Sequence, residues 1–148
     1  NRITGMTGHQ QNPLTGLTLK NQPAPYICLE DICAGLGVAR EHIRVVDPAY
    51  PAELEKVLKE ELAADAPSVV ICRRPCALLK GVEKKPPLRV DREKCRSCKA
   101  CMKIGCPCIS MVEGADGVKA KVDETMCVGC GLCEQMCPFD AFASTRAE

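Results

Sequence analysis

Cysteine is the residue of this chain that could do chemistry: 13 of the 148 residues are cysteines, and eight of them fall into two spaced runs. Cys127-x-x-Cys130-x-x-Cys133-x-x-x-Cys137-Pro138 has the spacing of bacterial-type iron–sulfur proteins, in which thiolates hold a [4Fe-4S] cluster. Cys95-x-x-Cys98-x-x-Cys101-x-x-x-x-Cys106-Pro107 repeats it with one extra residue before the last cysteine. Three thiolates from one tight loop can face three corners of a cubane, but the chain cannot curl far enough to supply the fourth. In two-cluster modules the fourth ligand therefore belongs to the other cluster. The expected sets are Cys95, Cys98, Cys101 and Cys137 for one cluster, and Cys106, Cys127, Cys130 and Cys133 for the second. Zinc sites use paired Cys-x-x-Cys knuckles, so triple runs closed twice by Cys-Pro favour iron–sulfur chemistry. Ser97, Ala100, Gly129 and Gly131 are small enough to let backbone amides approach the sulfurs, which tunes cluster potential.

The other five cysteines have plainer readings. Cys108 follows a ligand by two and is expected to pack, as are Cys28 and Cys33, which sit five apart on or beside a helix. Cys72 and Cys76 bracket Arg73-Arg74-Pro75, and two thiols are too few for a metal site. An odd cysteine count argues against a fully paired disulfide framework. Cubanes and many thiols point to a reducing, oxygen-poor cytoplasm. Lysine and arginine total 20 against 19 acids, which lacks the basic excess of a nucleic-acid binder. No apolar run approaches the roughly 18 residues of a membrane span. Two oxidised four-thiolate clusters would add about −2 each, so a transient, electrostatic partner face is expected.

These sulfurs need elements to position them. The two prolines of Glu83-Lys84-Lys85-Pro86-Pro87 stop any helix and favour an extended connection, so residues 83–87 are read as a linker. Beyond it the chain repeats itself: Val90-Asp91 precedes the first cysteine run and Val122-Asp123 the second, with the first three cysteines offset by 32 positions and the last by 31. Ile109 to Val112 and Val118 to Val122 read as strands joined by the turn chemistry of Glu113 to Gly117. Two similar halves imply a pseudo-two-fold α+β module over 88–148. With 3% aromatic residues in a segment of this size, bound clusters must be its main support, and without iron it should be largely unfolded.

Before the linker the pattern is α/β. Leu29, Ile32, Cys33 and Leu36 recur at helical spacing, with Gly35 and Gly37 as a stop. Ile43 to Val46 reads as a strand, and Ser68 to Cys72 as a buried parallel one. Between them Pro51 opens a helix whose apolar stripe is Leu54, Val57, Leu58 and Leu62. Such an alternation is the tail of a doubly wound parallel sheet, too little for a free-standing domain. The chain starts at Asn1 as if inside a motif, and it is expected to be the carboxy-terminal piece of a longer protein.

The opening residues, Asn1-Arg2-Ile3-Thr4-Gly5-Met6-Thr7-Gly8-His9-Gln10 and then Asn12-Pro13-Leu14-Thr15-Gly16, form a glycine- and threonine-rich loop suited to a phosphate or cation. This loop, an α/β tail ending Ile71-Cys72-Arg73-Arg74-Pro75-Cys76, and a two-cluster module with a four-residue gap before Cys106 together resemble the alpha subunit of indolepyruvate ferredoxin oxidoreductase. The resemblance covers essentially the whole chain. It implies that residues 1–82 are the carboxy-terminal part of a thiamine-diphosphate-binding domain and that 88–148 are a 2[4Fe-4S] ferredoxin-like domain. By the same resemblance, the Asn1 side chain and the Ile3 carbonyl would coordinate Mg2+, an ion that prefers such oxygen ligands. Met6, Thr7, Gly8 and Gln10 would line the thiamine and substrate side, with His9 as a polar group near the substrate. His42 is assigned no role.

The implied reaction is oxidative decarboxylation of an arylpyruvate to the acyl-CoA, with electrons leaving one at a time through the clusters to an external ferredoxin. A second, beta subunit is the expected partner. Enzymes of the same class acting on pyruvate or other 2-oxo acids remain an alternative, as does a non-catalytic electron carrier.

Overall fold

A computed structural model describes residues 11–77 and 82–144 of the protein. The chain divides into two compact units, Asn1–Val82 and Glu83–Glu148.

The first unit is a small α/β arrangement. Helix α1 (Leu29–Gly35) ends where Gly37 takes a left-handed backbone at φ 93°, with its N–H donating to the Ala34 carbonyl at 3.0 Å. A 3-10 turn at Arg40–His42 leads into β1 (Ile43–Val46), then α2 (Pro51–Ala63) crosses to β2 (Val69–Cys72). The two strands pair in parallel from Ile43 opposite Val69 to Val46 opposite Cys72. Their core is small: Val46, Ala49, Val57 and Ile71 are buried.

Several apolar positions depart from the expected burial. On α2 the buried residues are Val57 and Glu61, while Leu58 and Leu62 of the anticipated stripe stay exposed, Leu62 by 84%. Helix α1 buries nothing, and only Ile71 of β2 is buried. Cys28 and Cys33, expected in a core, are half-buried instead, and the Cys28 thiol lies 3.3 Å from a carboxylate oxygen of Glu30. A two-stranded sheet offers too little surface to cover both helices, so their remaining apolar sides face outward.

Charge pairing compensates locally. Glu61 accepts from Arg44 Nη1 at 3.0 Å, and its second oxygen lies 2.9 Å from His42 Nδ1. The hydrogen bond to His42, followed by that from Arg44, holds this carboxyl below its ordinary range against the opposing effect of burial. His42 thus has a structural partner that its position in the sequence does not reveal. Arg73, just past β2, clamps Glu30 at the start of α1 through two bonds of 2.8 Å.

The second unit has two antiparallel pairs. β3 (Leu88–Val90) pairs with β6 (Phe142–Ser144), and β4 (Ile109–Val112) with β5 (Lys119–Val122). The β4–β5 turn closes with reciprocal Gly114 and Gly117 bonds of 3.1 and 3.0 Å, Gly117 at φ 89°. The halves match bond for bond. Asp91 N–H donates to the Ala141 carbonyl and Asp123 N–H to that of Cys108, both at 2.8 Å. Cys95 and Cys127 N–H return to the Asp91 and Asp123 carbonyls, both at 3.0 Å. Each aspartate side chain also accepts a backbone N–H two residues on, from Glu93 and from Thr125, at 2.9 Å. The Val-Asp pairs of the repeat are therefore the hinges that aim each cysteine loop.

The Glu30–Arg73 pair gives a pH test. Its hydrogen bonds from Arg73 lower the Glu30 carboxyl from 4.5 to about 2. A depressed carboxylate stabilises the fold above its unfolded value and loses that contribution as pH falls through its folded value. Glu30→Gln should cost about 1 kcal/mol at pH 7, discounted for partial exposure. The difference from wild type should close between pH 4.5 and 2, as read from urea midpoints against pH.

Candidate metal centres

Each cysteine run begins with a loop and puts its third cysteine on a short helical turn. Cys101 lies in the 3-10 turn Ala100–Ile104, and Cys133 in α3 (Leu132–Gln135). Both turns start after a left-handed residue, Lys99 at φ 60° and Gly131 at φ 77°. Two residues earlier the match repeats, with Ser97 at φ 57° and Gly129 at φ 65°. The two loops thus share one backbone course, but the second uses glycine where the first uses serine and lysine. Left-handed backbone costs a residue with a Cβ about 1 kcal/mol or more, so the first loop is held there by other contacts. Ser97 Oγ donates to the Val118 carbonyl, and Lys119 Nζ donates to the Cys95 carbonyl at 2.6 Å.

The extra residue of the first run is Gly105, which absorbs the insertion at φ 68° with open space around it. Gly129 is different. A Cβ there would come within 2.5 Å of the Lys85 and Pro86 carbonyl oxygens, so the segment before β3 presses on the second loop at a point only glycine allows.

Two cavities result. One, of about 180 Å³, is lined by Cys106, Cys127, Cys130 and Cys133, with Cys108 and aliphatic side chains completing its wall. The other is narrower, and Cys95, Cys98, Cys101 and Cys137 line it with Phe139 and Phe142. In each, three sulfurs come from one run and the fourth from the other half. The donor set fits four-iron clusters: soft thiols in water-poor pockets, with a backbone N–H of Ala141 lying 3.5 Å from the Cys137 sulfur. Among the described residues no three His, Cys, Asp or Glu side chains converge as a single metal ion requires.

Burial acts on these thiols. It pushes Cys133 up to about 12, reinforced by Cys130, and raises Cys101, whose neighbours are Cys95, Cys98 and Cys137. Cys108 is buried and raised to about 11, chiefly by desolvation and then by its bond with Cys106. By the strand register Cys108 occupies the place of Ala141 in the other half, a small core position. Cys72 is exposed and Cys76 half-buried.

The residues expected around thiamine diphosphate and magnesium, Asn1, Ile3, Met6, Thr7, Gly8, His9 and Gln10, lie outside the described residues. Of the loop that follows, Asn12 Oδ1 accepts the Leu14 N–H at 2.9 Å and Thr15 Oγ1 donates to the Asn12 carbonyl at 2.8 Å. Those groups close a turn on themselves.

Residues 120–143 match the family model of the 4Fe-4S binding domain, so the chain carries a ferredoxin-like iron–sulfur module. Its likeness to known proteins extends much further. Indolepyruvate oxidoreductase subunit IorA of Pyrococcus abyssi is 40% identical over 153 residues, covering 99% of this chain and 23% of that subunit. The IorA of Archaeoglobus fulgidus is 35% identical over 152 residues, with the same two shares. The likeness runs through almost the whole of this chain, which spans just under a quarter of the length of the IorA subunits it matches. Pyruvate synthase subunit PorD of Methanocaldococcus jannaschii is 37% identical over 59 residues, covering 40% of this chain and 66% of that subunit.

The glycine contrast is testable. Gly129→Ala should block assembly at the larger cavity and lower bound iron from about eight per chain toward about four. Gly105→Ala, strained but unobstructed, should keep its iron. An anaerobic iron assay on both variants decides it. Removal of all iron by a chelator should abolish hydrogen-exchange protection across β4 and β5.

Proposed function

We propose that this chain is part of a thiamine-diphosphate-dependent 2-oxo acid:ferredoxin oxidoreductase subunit, acting on indolepyruvate and related arylpyruvates to form the acyl-CoA. The observation that carries this reading is that the likeness to IorA runs through 99% of the chain, α/β unit included. A simple electron carrier would share the cysteine module alone.

In this reading Cys95, Cys98, Cys101 and Cys137 hold one [4Fe-4S] cluster, and Cys106, Cys127, Cys130 and Cys133 the other. Bound there, the clusters supply one-electron redox chemistry that links a two-electron oxidation to a one-electron acceptor. The chain's own part is to hold the sulfurs, exclude water with aliphatic and aromatic walls, and direct amides at them. Residues 1–82 are read as the end of the thiamine-diphosphate-binding domain, 83–87 as the linker and 88–148 as the ferredoxin-like domain. Asn1 and Ile3 as magnesium ligands, Met6, Thr7, Gly8 and Gln10 beside the cofactor, and His9 near the substrate follow from the family resemblance alone. The outward apolar sides of α1 and α2 agree with a unit that belongs to a larger α/β domain. The working complex includes a beta subunit and an external ferredoxin, in an oxygen-poor cytoplasm. Among the described residues no helix is long and apolar enough to cross a membrane.

A second reading, a pyruvate-oxidising enzyme of the same class, draws on the PorD likeness of the cysteine module. The test is thiamine- and coenzyme-A-dependent ferredoxin reduction by the full-length protein with its partner subunit, purified without oxygen. Indolepyruvate should turn over faster than pyruvate. The reverse preference would move the substrate assignment to pyruvate. No reduction with any 2-oxo acid by iron-replete protein would leave only the electron carrier.

A further inference from the structure

The two cysteine loops share a backbone course but carry opposite charge. From residue 94 to residue 112 there is no acid, and the first loop holds Lys94, Arg96, Lys99 and Lys103. From residue 122 to residue 140 there is no lysine or arginine, and the second loop holds Asp123, Glu124, Glu134 and Asp140. Both loops reach solvent at their second cysteine, Cys98 in one and Cys130 in the other. Arg96 and Lys99 line the cavity behind Cys98, whereas the cavity behind Cys130 has no cation in its wall and Glu134 stands beside Gly131 at its edge.

The four cations of the first rim are exposed. Among the described residues no ion pair involves any of them. The neighbouring arginines behave differently: Arg89 bonds Glu124 at 2.7 Å, and Arg92 Nε bonds Asp116 at 3.1 Å. Arg96 and Lys99 line the cavity of Cys95, Cys98, Cys101 and Cys137 itself. Lys99 stands out further, because it holds a left-handed backbone where the other half has Gly131. A lysine kept at a position that suits glycine better, beside an exposed cysteine, points to a role for its charge rather than for the fold.

We propose that the rim formed by Lys94, Arg96, Lys99 and Lys103 is the docking surface for an acidic, one-electron carrier protein, and that the acidic rim at Cys130 repels the same partner. Unpaired cations around an opening to solvent steer a partner of opposite charge and fix its orientation, whereas like charge at the second opening disfavours docking there. The inference rests on the reading that this unit carries electrons and is independent of which 2-oxo acid is oxidised.

The test is a binding measurement on the full-length, iron-replete protein with its partner subunit, without substrate. The probe is an acidic bacterial-type ferredoxin, at matched iron content in every variant. Wild-type Kd should rise steeply between 50 and 300 mM salt, and the triple variant Lys94→Glu, Arg96→Glu, Lys103→Glu should weaken binding by about tenfold or more and flatten that dependence. Lys99→Gly should weaken binding by about two- to threefold while the thermal midpoint holds or rises, because glycine accepts this backbone freely. A purely structural lysine would leave the Kd unmoved. Glu134→Lys should leave binding at the basic rim within about twofold of wild type. Wild-type affinity in the triple variant, or no salt dependence, overturns the proposal. So does a triple variant that loses affinity for coenzyme A but not for ferredoxin, since the rim would then be a phosphate site. Failure of indolepyruvate turnover with ferredoxin binding intact would count against the substrate assignment and leave the docking surface standing.

Discussion

The second unit is built around buried sulfur. Its core cluster consists of Leu88, Ile109, Ala120, Val122, Ala141 and Phe142 together with Cys95, Cys101, Cys108 and Cys133. Four of the ten buried residues are thus thiols, and burial makes at least two of the proposed ligands harder to ionise, with Cys133 raised to about 12. A thiolate in such a pocket needs a compensating positive charge, which iron supplies in the reading proposed above. The same atoms then serve as core and as ligand. Little else fills the space, because only Phe139 and Phe142 bring rings to this unit.

That constraint accounts for how the two halves agree and where they part. Asp91 and Asp123 set the loops with matching bonds, and left-handed residues follow at matching places. The insertion at Gly105 and the left-handed Asp140, at φ 47°, are where one half lengthens and the register still closes. The halves part in chemistry at Ser97 and Lys99, which stand opposite Gly129 and Gly131. Gly129 is obligatory because the chain before β3 lies against it, whereas Lys99 is exposed and carries charge to the surface.

The first unit obeys a different rule. Its two parallel strands and two helices bury few apolar residues, and ion pairs such as Glu30–Arg73 and Arg74–Asp47 tie its loops together. Glu61 is buried on α2, while Leu58 and Leu62 of its apolar stripe are not. Leu36, Leu58 and Leu62 stay exposed because a two-stranded sheet has too little surface to cover both helices.

Local pattern was enough to read much of this protein from sequence. Spacing places eight cysteines in two runs, short strand-like stretches and the turn chemistry between them mark β1, β4 and β5, and Gly37 and Pro51 mark a helix end and a helix start. Each of these signals depends on neighbours a few residues away, which is the range over which side-chain period and backbone preference act. What the tertiary structure decided depends on distant partners. Cys137 stands beside Cys95, Cys98 and Cys101 because β6 pairs with β3, more than fifty residues away along the chain. Glu61 is buried because His42 and Arg44 meet it, the Lys85 carbonyl makes Gly129 irreplaceable, and Lys99 adopts a backbone that its own identity disfavours. None of these is legible locally, since the energy of each lies in a contact that exists only once the chain has folded.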